Sequence, residues 1–285
     1  MWRPQHSLLR VLYRMGSHNR PSRAVGHLAD ARLPAPVLRR IMTAYIRAWK
    51  VPMDEVEVPP GGFRSLDEFF TRRLKADARP IASLPVVSPC DGRVVAEGRV
   101  EGGTLIQAKG LHYSLAELIG EDALAVRLEG GRYVTIYLSP RDYHRVHVPM
   151  DGEVLGWRHL PGVLFTVSPG ATRRIQDLLV RNERLALLLR GALGREAAMV
   201  LVGAANVGRI TSAFCGATTN RGRNCGEGRC EPPLSVRRGQ EAGAFHLGST
   251  VVLVLGRSPS LRPLVRVGDA VRMGQGLYED GPSEP

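Results

Sequence analysis

The hydrophobic rhythm of the chain changes once, near residue 86. Before that point apolar positions recur at helical spacing. Leu38, Ile41, Met42, Tyr45 and Trp49 fall at i, i+3, i+4, i+7 and i+11, with Arg39, Arg40, Thr43, Arg47 and Lys50 mostly on the other side. Pro36 suits the first turn of such a helix. Residues 8–15 show the same mixture of Leu, Val, Tyr and Arg. Ser65 followed three residues later by Glu68 has capping-box spacing, which predicts a short helix whose Phe69 and Phe70 dock the N-terminal segment on the body.

From about residue 86 short β-branched runs punctuated by glycine take over, as in Gly92-Arg93-Val94-Val95-Ala96-Glu97-Gly98 and Tyr133-Val134-Thr135-Ile136-Tyr137-Leu138. Val251-Val252-Leu253-Val254-Leu255 reads as a buried strand. Residues 171–180 form the clear interior helix candidate, with Ile175, Leu178 and Leu179 on one face. A weak repeat, Pro89-Cys90-Asp91-Gly92-Arg93-Val94 and Pro149-Met150-Asp151-Gly152-Glu153-Val154, places Asp-Gly turn signals between extended runs. Together with the Gly-rich segments 236–245 and 267–277, these pieces resemble the small β-modules of lipoyl and biotin carriers. The carrier lysine is missing, because glycine follows both Asp91 and Asp151. The expected fold is α+β: N-terminal amphipathic helices, then a mainly antiparallel β body with lipoyl-like, barrel-sandwich hairpins.

Charge sharpens the division. Residues 1–50 hold ten basic side chains against the single acid Asp30, and so supply nine of the net +12. Such a segment seeks an anionic partner. Nucleic acid is disfavoured, since no zinc-finger spacing, RNP-like aromatic strand or basic-zipper heptad accompanies the charge. Neither basic stretch approaches the roughly 18 apolar residues needed to span a bilayer. Both would lie on an anionic membrane surface with Trp and Tyr at headgroup depth. The alternative packs both helices on the body with their basic faces in water. Arg10 and Arg14 interrupt any signal-peptide core, so a peripheral position on the cytoplasmic face of the cell membrane is expected. Cys90, Cys215, Cys225 and Cys230 form no disulfide framework for a chain this long, their spacing misses the usual zinc patterns, and no metal is expected.

The chemistry gathers in three blocks. Phe245-His246-Leu247-Gly248-Ser249-Thr250 places a hydroxyl, directly after a glycine, at the mouth of the 251–255 strand. The carbonyl of Gly248 is sterically open to that hydroxyl, and an N→O acyl shift there can end in chain cleavage and a pyruvoyl group. Ser88-Pro89-Cys90-Asp91-Gly92-Arg93-Val94 and Tyr143-His144-Arg145-Val146-His147-Val148-Pro149 supply an acid and two imidazoles. A serine needs a base oriented by a third group, and Asp91, His147 and Ser249 admit such a triad. The Gly-x-Ser-x-Gly elbow of a serine hydrolase is absent around Ser249. What fits is a triad aimed inward, in which His147, held by Asp91, takes the Ser249 proton. His144 is the candidate proton donor for a later step. If residues 143–147 are extended, Tyr143, Arg145 and His147 share a face and His144 opposes them, so both histidines serve one cavity only through a bend.

These blocks resemble the phosphatidylserine decarboxylases, a pyruvoyl-dependent, membrane-associated family. The likeness extends from the Phe63 region onward and includes Ser139-Pro140-Arg141-Asp142, Phe165-Thr166-Val167-Ser168-Pro169, Arg181-Asn182-Glu183-Arg184-Leu185 and Val202-Gly203-Ala204-Ala205-Asn206-Val207-Gly208-Arg209-Ile210. It departs in the Arg-, Gly- and Cys-rich loop 215–233. The resemblance implies a basic membrane-associating segment, residues 1–62, and a catalytic domain, residues 63–285. It implies self-cleavage between Gly248 and Ser249 into chains 1–248 and 249–285 that stay associated, with Asp91 and His147 serving Ser249. Ser249 then becomes the covalent pyruvoyl cofactor, which forms a Schiff base with phosphatidylserine and yields phosphatidylethanolamine and carbon dioxide. A homodimer is compatible with this reading. The rivals are a membrane-associated lipid serine hydrolase and a basic membrane adaptor without catalysis.

Overall fold

The computed structural model describes residues 19–108, 111–205, 209–220, 226–246 and 248–281. The basic stretch 8–15 and Cys225 lie outside them. Helix α1 covers Asn19–Asp30, α2 Ala35–Trp49 and α3 Leu66–Phe70. The cap of α3 forms as its sequence predicts: Ser65 Oγ accepts from the Glu68 amide at 3.1 Å, while the Glu68 carboxylate accepts from the Arg64 amide. Phe69 and Phe70 are buried and meet Tyr45 of α2 edge-on, at ring-centroid distances of 5.8 and 6.5 Å. Leu38, Met42 and Tyr45 turn toward the body, whereas Val37, Ile41 and Trp49 remain exposed beside Arg39, Arg40 and Arg47. The helix therefore both packs inward and presents an apolar, basic flank outward.

The strands that frame the site are numbered here as β1 Gly92–Arg99, β2 Arg132–Leu138, β3 Arg145–His147, β4 Gly152–Leu160, β5 Arg184–Gly191, β6 Glu196–Gly203, β7 Arg209–Ser212, β8 Glu227–Val236, β9 Glu241–His246, β10 Ser249–Leu255 and β11 Ala270–Val271. Eight of them form one antiparallel sheet in the order β8-β4-β5-β6-β10-β2-β1-β11. A three-stranded sheet, β7-β9-β3, and a second one of Val86–Val87, Leu261–Pro263 and Gly276–Asp280 lie apart from it. The continuous apolar run of β10 is explained by burial on both sides. Val251, Leu253 and Leu255 join a cluster with Val146, Ile210, Phe245 and Leu277 of the small sheets. Val252 and Val254 join another with residues of the short helices α4 Leu115–Ile119 and α5 Asp122–Arg127.

This layering corrects the expected barrel-sandwich of lipoyl-like hairpins: the large sheet is open, and among the described residues no sheet is closed into a barrel or strongly curled. Each face of the sheet has its own covering layer, so closure is not needed to bury it. The two glycines of the internal repeat open β1 and β4. A Cβ on Gly92 would sit 2.5 Å from the Tyr137 carbonyl oxygen, so close strand approach fixes that glycine. The helix expected over residues 171–180 is interrupted. It resolves into α6 Pro169–Thr172 and α7 Leu178–Arg181, separated by a turn in which Asp177 adopts left-handed φ.

Candidate active site

Ser249 opens the central strand β10, paired with Gly203 of β6 on one side and Leu138 of β2 on the other. Its side chain is fully buried, and among the described residues its Oγ has no hydrogen-bond partner. A buried hydroxyl without a partner is an energetic liability, which makes it a site candidate by itself. Gly248, directly before it, has φ +31, and a Cβ added to it would meet nothing within 4 Å, so open space adjoins the peptide bond in question.

The histidines arrive through the loop that follows β2. Asp142 shapes that loop by accepting from the Ser139 amide and hydroxyl at 2.6 and 2.7 Å, although burial raises its pKa. The His144 carbonyl accepts from the Phe245 amide at 2.9 Å, which ties the loop to β9 just upstream of Ser249. His144 Nδ1 donates to the Asp142 carbonyl at 2.8 Å, leaving the Nε2 lone pair buried and without a partner among the described residues. Phe70 lies over this ring, 4.0 Å between centroids. Burial, and then the nearby charge of Arg72, push the His144 pKa down to about 3, so the imidazole is neutral.

His147 is bonded at both nitrogens. Nδ1 donates to the Gly239 carbonyl at 2.8 Å and Nε2 accepts from the Tyr143 hydroxyl at 3.1 Å. Burial lowers its pKa despite the Gly239 carbonyl, which works the other way. Tyr143 and His147 thus share a face, as alternation predicts, while His144 turns to a different partner.

Asp91 lies on the same segment as Pro89, whose carbonyl accepts from the His147 amide at 2.7 Å. The bonds of its carboxylate run elsewhere: Arg79 Nε and Nη2 at 2.9 and 2.5 Å, and the Met273 amide at 2.8 Å. Burial works against the charge of Arg79, but Asp91 and Glu55 outweigh it and raise its pKa. The structure therefore joins Pro89, two residues before Asp91, to the His147 backbone, while the Asp91 carboxylate bonds Arg79 and Met273 and not the His147 ring. A cavity of about 470 Å³ is lined by Asp91 and Tyr143 together with Arg72, Arg79, Arg141 and Asp142. Sequence reasoning missed Arg79, Arg72, Tyr143 as a partner of His147, and Gly239. Arg79, Arg72 and Gly239 make these contacts across 12 to 92 residues, a relation that no local motif marks, whereas alternation marks the shared face of Tyr143 and His147 but not their bond.

A fully buried hydroxyl behind an unhindered glycine, in a chain tied just upstream to the loop that carries His144, marks a candidate catalytic centre. The comparisons give this a family. The family model for phosphatidylserine decarboxylase matches residues 66–279. The phosphatidylserine decarboxylase proenzyme of Anaeromyxobacter sp. (strain K) is 42% identical over 268 residues, spanning 91% of this chain and 93% of the relative. Those of Bordetella avium (strain 197N) and Azotobacter vinelandii (strain DJ) are 38% and 39% identical, covering 94% and 93% of this chain and 95% and 97% of their own lengths. The chain belongs to the phosphatidylserine decarboxylase family, carboxy-lyases of phospholipid biosynthesis. Among the described residues, no helix is long and apolar enough to cross a membrane.

Proposed function

We propose that the chain is made as a proenzyme, cleaves itself between Gly248 and Ser249, and then decarboxylates phosphatidylserine at an anionic membrane surface. The observation that carries this is the Ser249 hydroxyl: buried, unpartnered, and placed one residue after a glycine of positive φ. The relatives are named as proenzymes, which agrees with maturation by cleavage.

In the cleavage, Oγ of Ser249 loses its proton and bonds the Gly248 carbonyl carbon. The Gly248–Ser249 C–N bond breaks, the nitrogen takes the proton, and an ester results. Loss of the Ser249 Cα proton then breaks the Cβ–Oγ bond, freeing residues 1–248 as a carboxylate. The dehydroalanine left at 249 tautomerises and takes up water, releasing ammonia. His147 is the proposed base and Asp91 its support. The Pro89–His147 backbone bond favours a fixed relation between them, but the Tyr143 hydroxyl must first leave Nε2. A second reading makes His144 the base, favoured by its free Nε2 lone pair. In that reading His144 passes the Ser249 proton to the departing nitrogen and must take up another before it can act as a donor in decarboxylation.

A pyruvoyl group at 249 supplies an electrophilic carbonyl and an electron sink for an amino acid losing carbon dioxide. The residues present fit such a group: Ser249 is buried beside open space, and Phe70 covers the buried His144 ring. Arg72 and the cationic cavity wall would receive the anionic headgroup. Residues 249–285 stay attached through β10, which pairs on both sides with strands of the larger chain. Attachment to the membrane surface is assigned to residues 1–62, with Ile41, Trp49 and the arginines of α2 in contact.

Denaturing gels and intact mass test the scheme. The wild type should give two fragments, the smaller beginning with a blocked residue 249, and Ser249→Ala should stay whole and inactive. An active wild-type protein of unbroken mass would end the reading. His147→Ala against His144→Ala decides the base: the one whose loss slows cleavage by about 100-fold or more is the residue that takes the proton.

A further inference from the structure

His246, two residues before Gly248, belongs to a polar cluster that the chemistry above does not use. Its Nδ1 lies 2.7 and 2.9 Å from the Asp67 carboxylate oxygens, and its Nε2 lies 3.1 Å from the Thr211 hydroxyl. Asp67 also accepts from Arg209 at 3.1 Å, and Arg209 grips Asp30 at 2.5 and 2.9 Å. Five side chains thereby connect the end of α1, the first turn of α3, and strands β7 and β9. The His246 and Asp67 side chains are only 12% and 13% exposed, so water competes little for these bonds.

The position of this cluster gives it a consequence for cleavage. On the far side of the scissile bond, Ser249 is fixed by pairing to Gly203 and Leu138. On the near side, His246 pairs with Arg209 in β7 and is tied through its ring to Asp67. Only two residues lie between these anchors. One is Gly248, whose missing side chain lets it adopt φ +31 and equally lets it leave. What keeps such a glycine in one orientation is the fixing of its flanks.

We infer that Asp67 and His246 are positioning residues for self-cleavage: they hold the chain entering Gly248 so that its carbonyl stays in reach of the Ser249 hydroxyl, with Arg209 and Asp30 bracing Asp67 from α1. The inference rests on the proposed maturation. The clamp serves the uncut chain; decarboxylation afterwards does not require it. It also makes correct docking of α1 and α3 a condition for rapid cleavage, so a chain whose N-terminal helices are unseated matures slowly.

The test follows cleavage of freshly synthesised full-length chains over time on denaturing gels, for wild type, His246→Leu, His246→Asn and Asp67→Asn. Turnover is measured per cleaved molecule, and melting temperatures are taken in a Ser249→Ala background. His246→Leu should cleave about 100-fold more slowly, the scale expected when reacting groups are misplaced by about an ångström. His246→Asn, whose amide can still donate to Asp67, should recover most of the rate. Turnover per cleaved molecule should match wild type. Cleavage of His246→Leu at the wild-type rate overturns the clamp. So does equal slowing in the Leu and Asn variants with matching losses in melting temperature, which would assign the cluster to stability alone. A wild type that never cleaves defeats the maturation scheme itself, and the clamp with it; a wild type that cleaves while His246→Leu keeps pace defeats the clamp alone.

Discussion

The Tyr143 hydroxyl donates to Nε2 of His147 at 3.1 Å, so the atom proposed to take the Ser249 proton is occupied in the uncut chain. Nδ1 is committed to the Gly239 carbonyl and cannot exchange roles without losing that bond. If His147 is the base, Tyr143 competes with Ser249 for it. Tyr143→Phe should then speed cleavage by about twofold to tenfold, the worth of one neutral hydrogen bond. A gel time course in cell-free synthesis reads this directly, and a slowing would assign Tyr143 a supporting role instead.

His144 makes folding sensitive to acid. Its folded pKa, about 3, lies below the value of about 6.5 for a free histidine, so the unfolded chain binds a proton that the folded chain refuses. The stability this group supplies is fully present above pH 6.5 and is lost as pH falls toward 3. Within that window the loss is about 1.4 kcal/mol per pH unit. His147, also lowered by burial, adds to it in the same direction. Urea unfolding of the Ser249→Ala protein from pH 7.5 to 5 should show this decline, and His144→Gln should make it shallower. An unchanged slope in His144→Gln would show that the ring is protonated in the folded state.

What could be read from sequence was local. Ser65 and Glu68 announce their cap because both partners lie within one turn, and residues 251–255 announce a core strand because every position is apolar. The open sheet was not legible, since a strand buried on both faces looks the same in a barrel as in a layered sheet; only the strand order, which ends at β8 on one side and β11 on the other, decides it. The 171–180 helix failed because the apolar Ile175, Leu178 and Leu179 outweighed Asp177, whose left-handed backbone breaks the run. At the site, Asp91, His144, His147 and Ser249 were visible as residue types in motifs. The bond from Asp91 to Arg79, and that from His246 to Asp67 across 179 residues, were not.

Attachment to lipid should depend on the outward flank of α2. Arg39, Arg40 and Arg47 line an open groove there, with Val37, Ile41 and Trp49 exposed nearby. Each arginine close to an anionic surface contributes about 1 kcal/mol. Replacing all three by Gln should weaken co-sedimentation with phosphatidylglycerol-containing vesicles by about 100-fold. Wild-type binding should fall as salt is added. Equal sedimentation of variant and wild type would place the contact elsewhere on the chain.

Asp91 holds together parts that cleavage would separate. Its carboxylate joins Arg79 in the larger chain to the Met273 amide in the smaller, and the two ionic side chains are only 5% and 10% exposed. Removing one partner of a buried pair typically costs about 3–5 kcal/mol. Arg79 keeps Glu55 at 2.8 Å, so Asp91→Asn should fall at the lower end of that range. Urea unfolding of the uncut Ser249→Ala protein with and without Asp91→Asn measures it. A loss under about 1 kcal/mol, the range of exposed pairs, would mean that the pair is solvated.

Gly248 separates conformational strain from steric space. A methyl group there would meet nothing within 4 Å, so alanine fits by volume, yet φ +31 is unfavourable for any residue with a Cβ. The cost is about 1–2 kcal/mol if the backbone holds its shape. If the backbone instead relaxes to negative φ, the Gly248 carbonyl turns away from Ser249 and cleavage slows. Gly102 provides the control, with φ +58 and equally open surroundings on an exposed turn before the strand Thr104–Ala108. Gly248→Ala and Gly102→Ala should therefore destabilise the uncut protein by similar amounts, while only Gly248→Ala delays the appearance of two chains. If both variants cleave at the wild-type rate, the positive φ at 248 has no part in the reaction, and the open carbonyl alone accounts for the glycine.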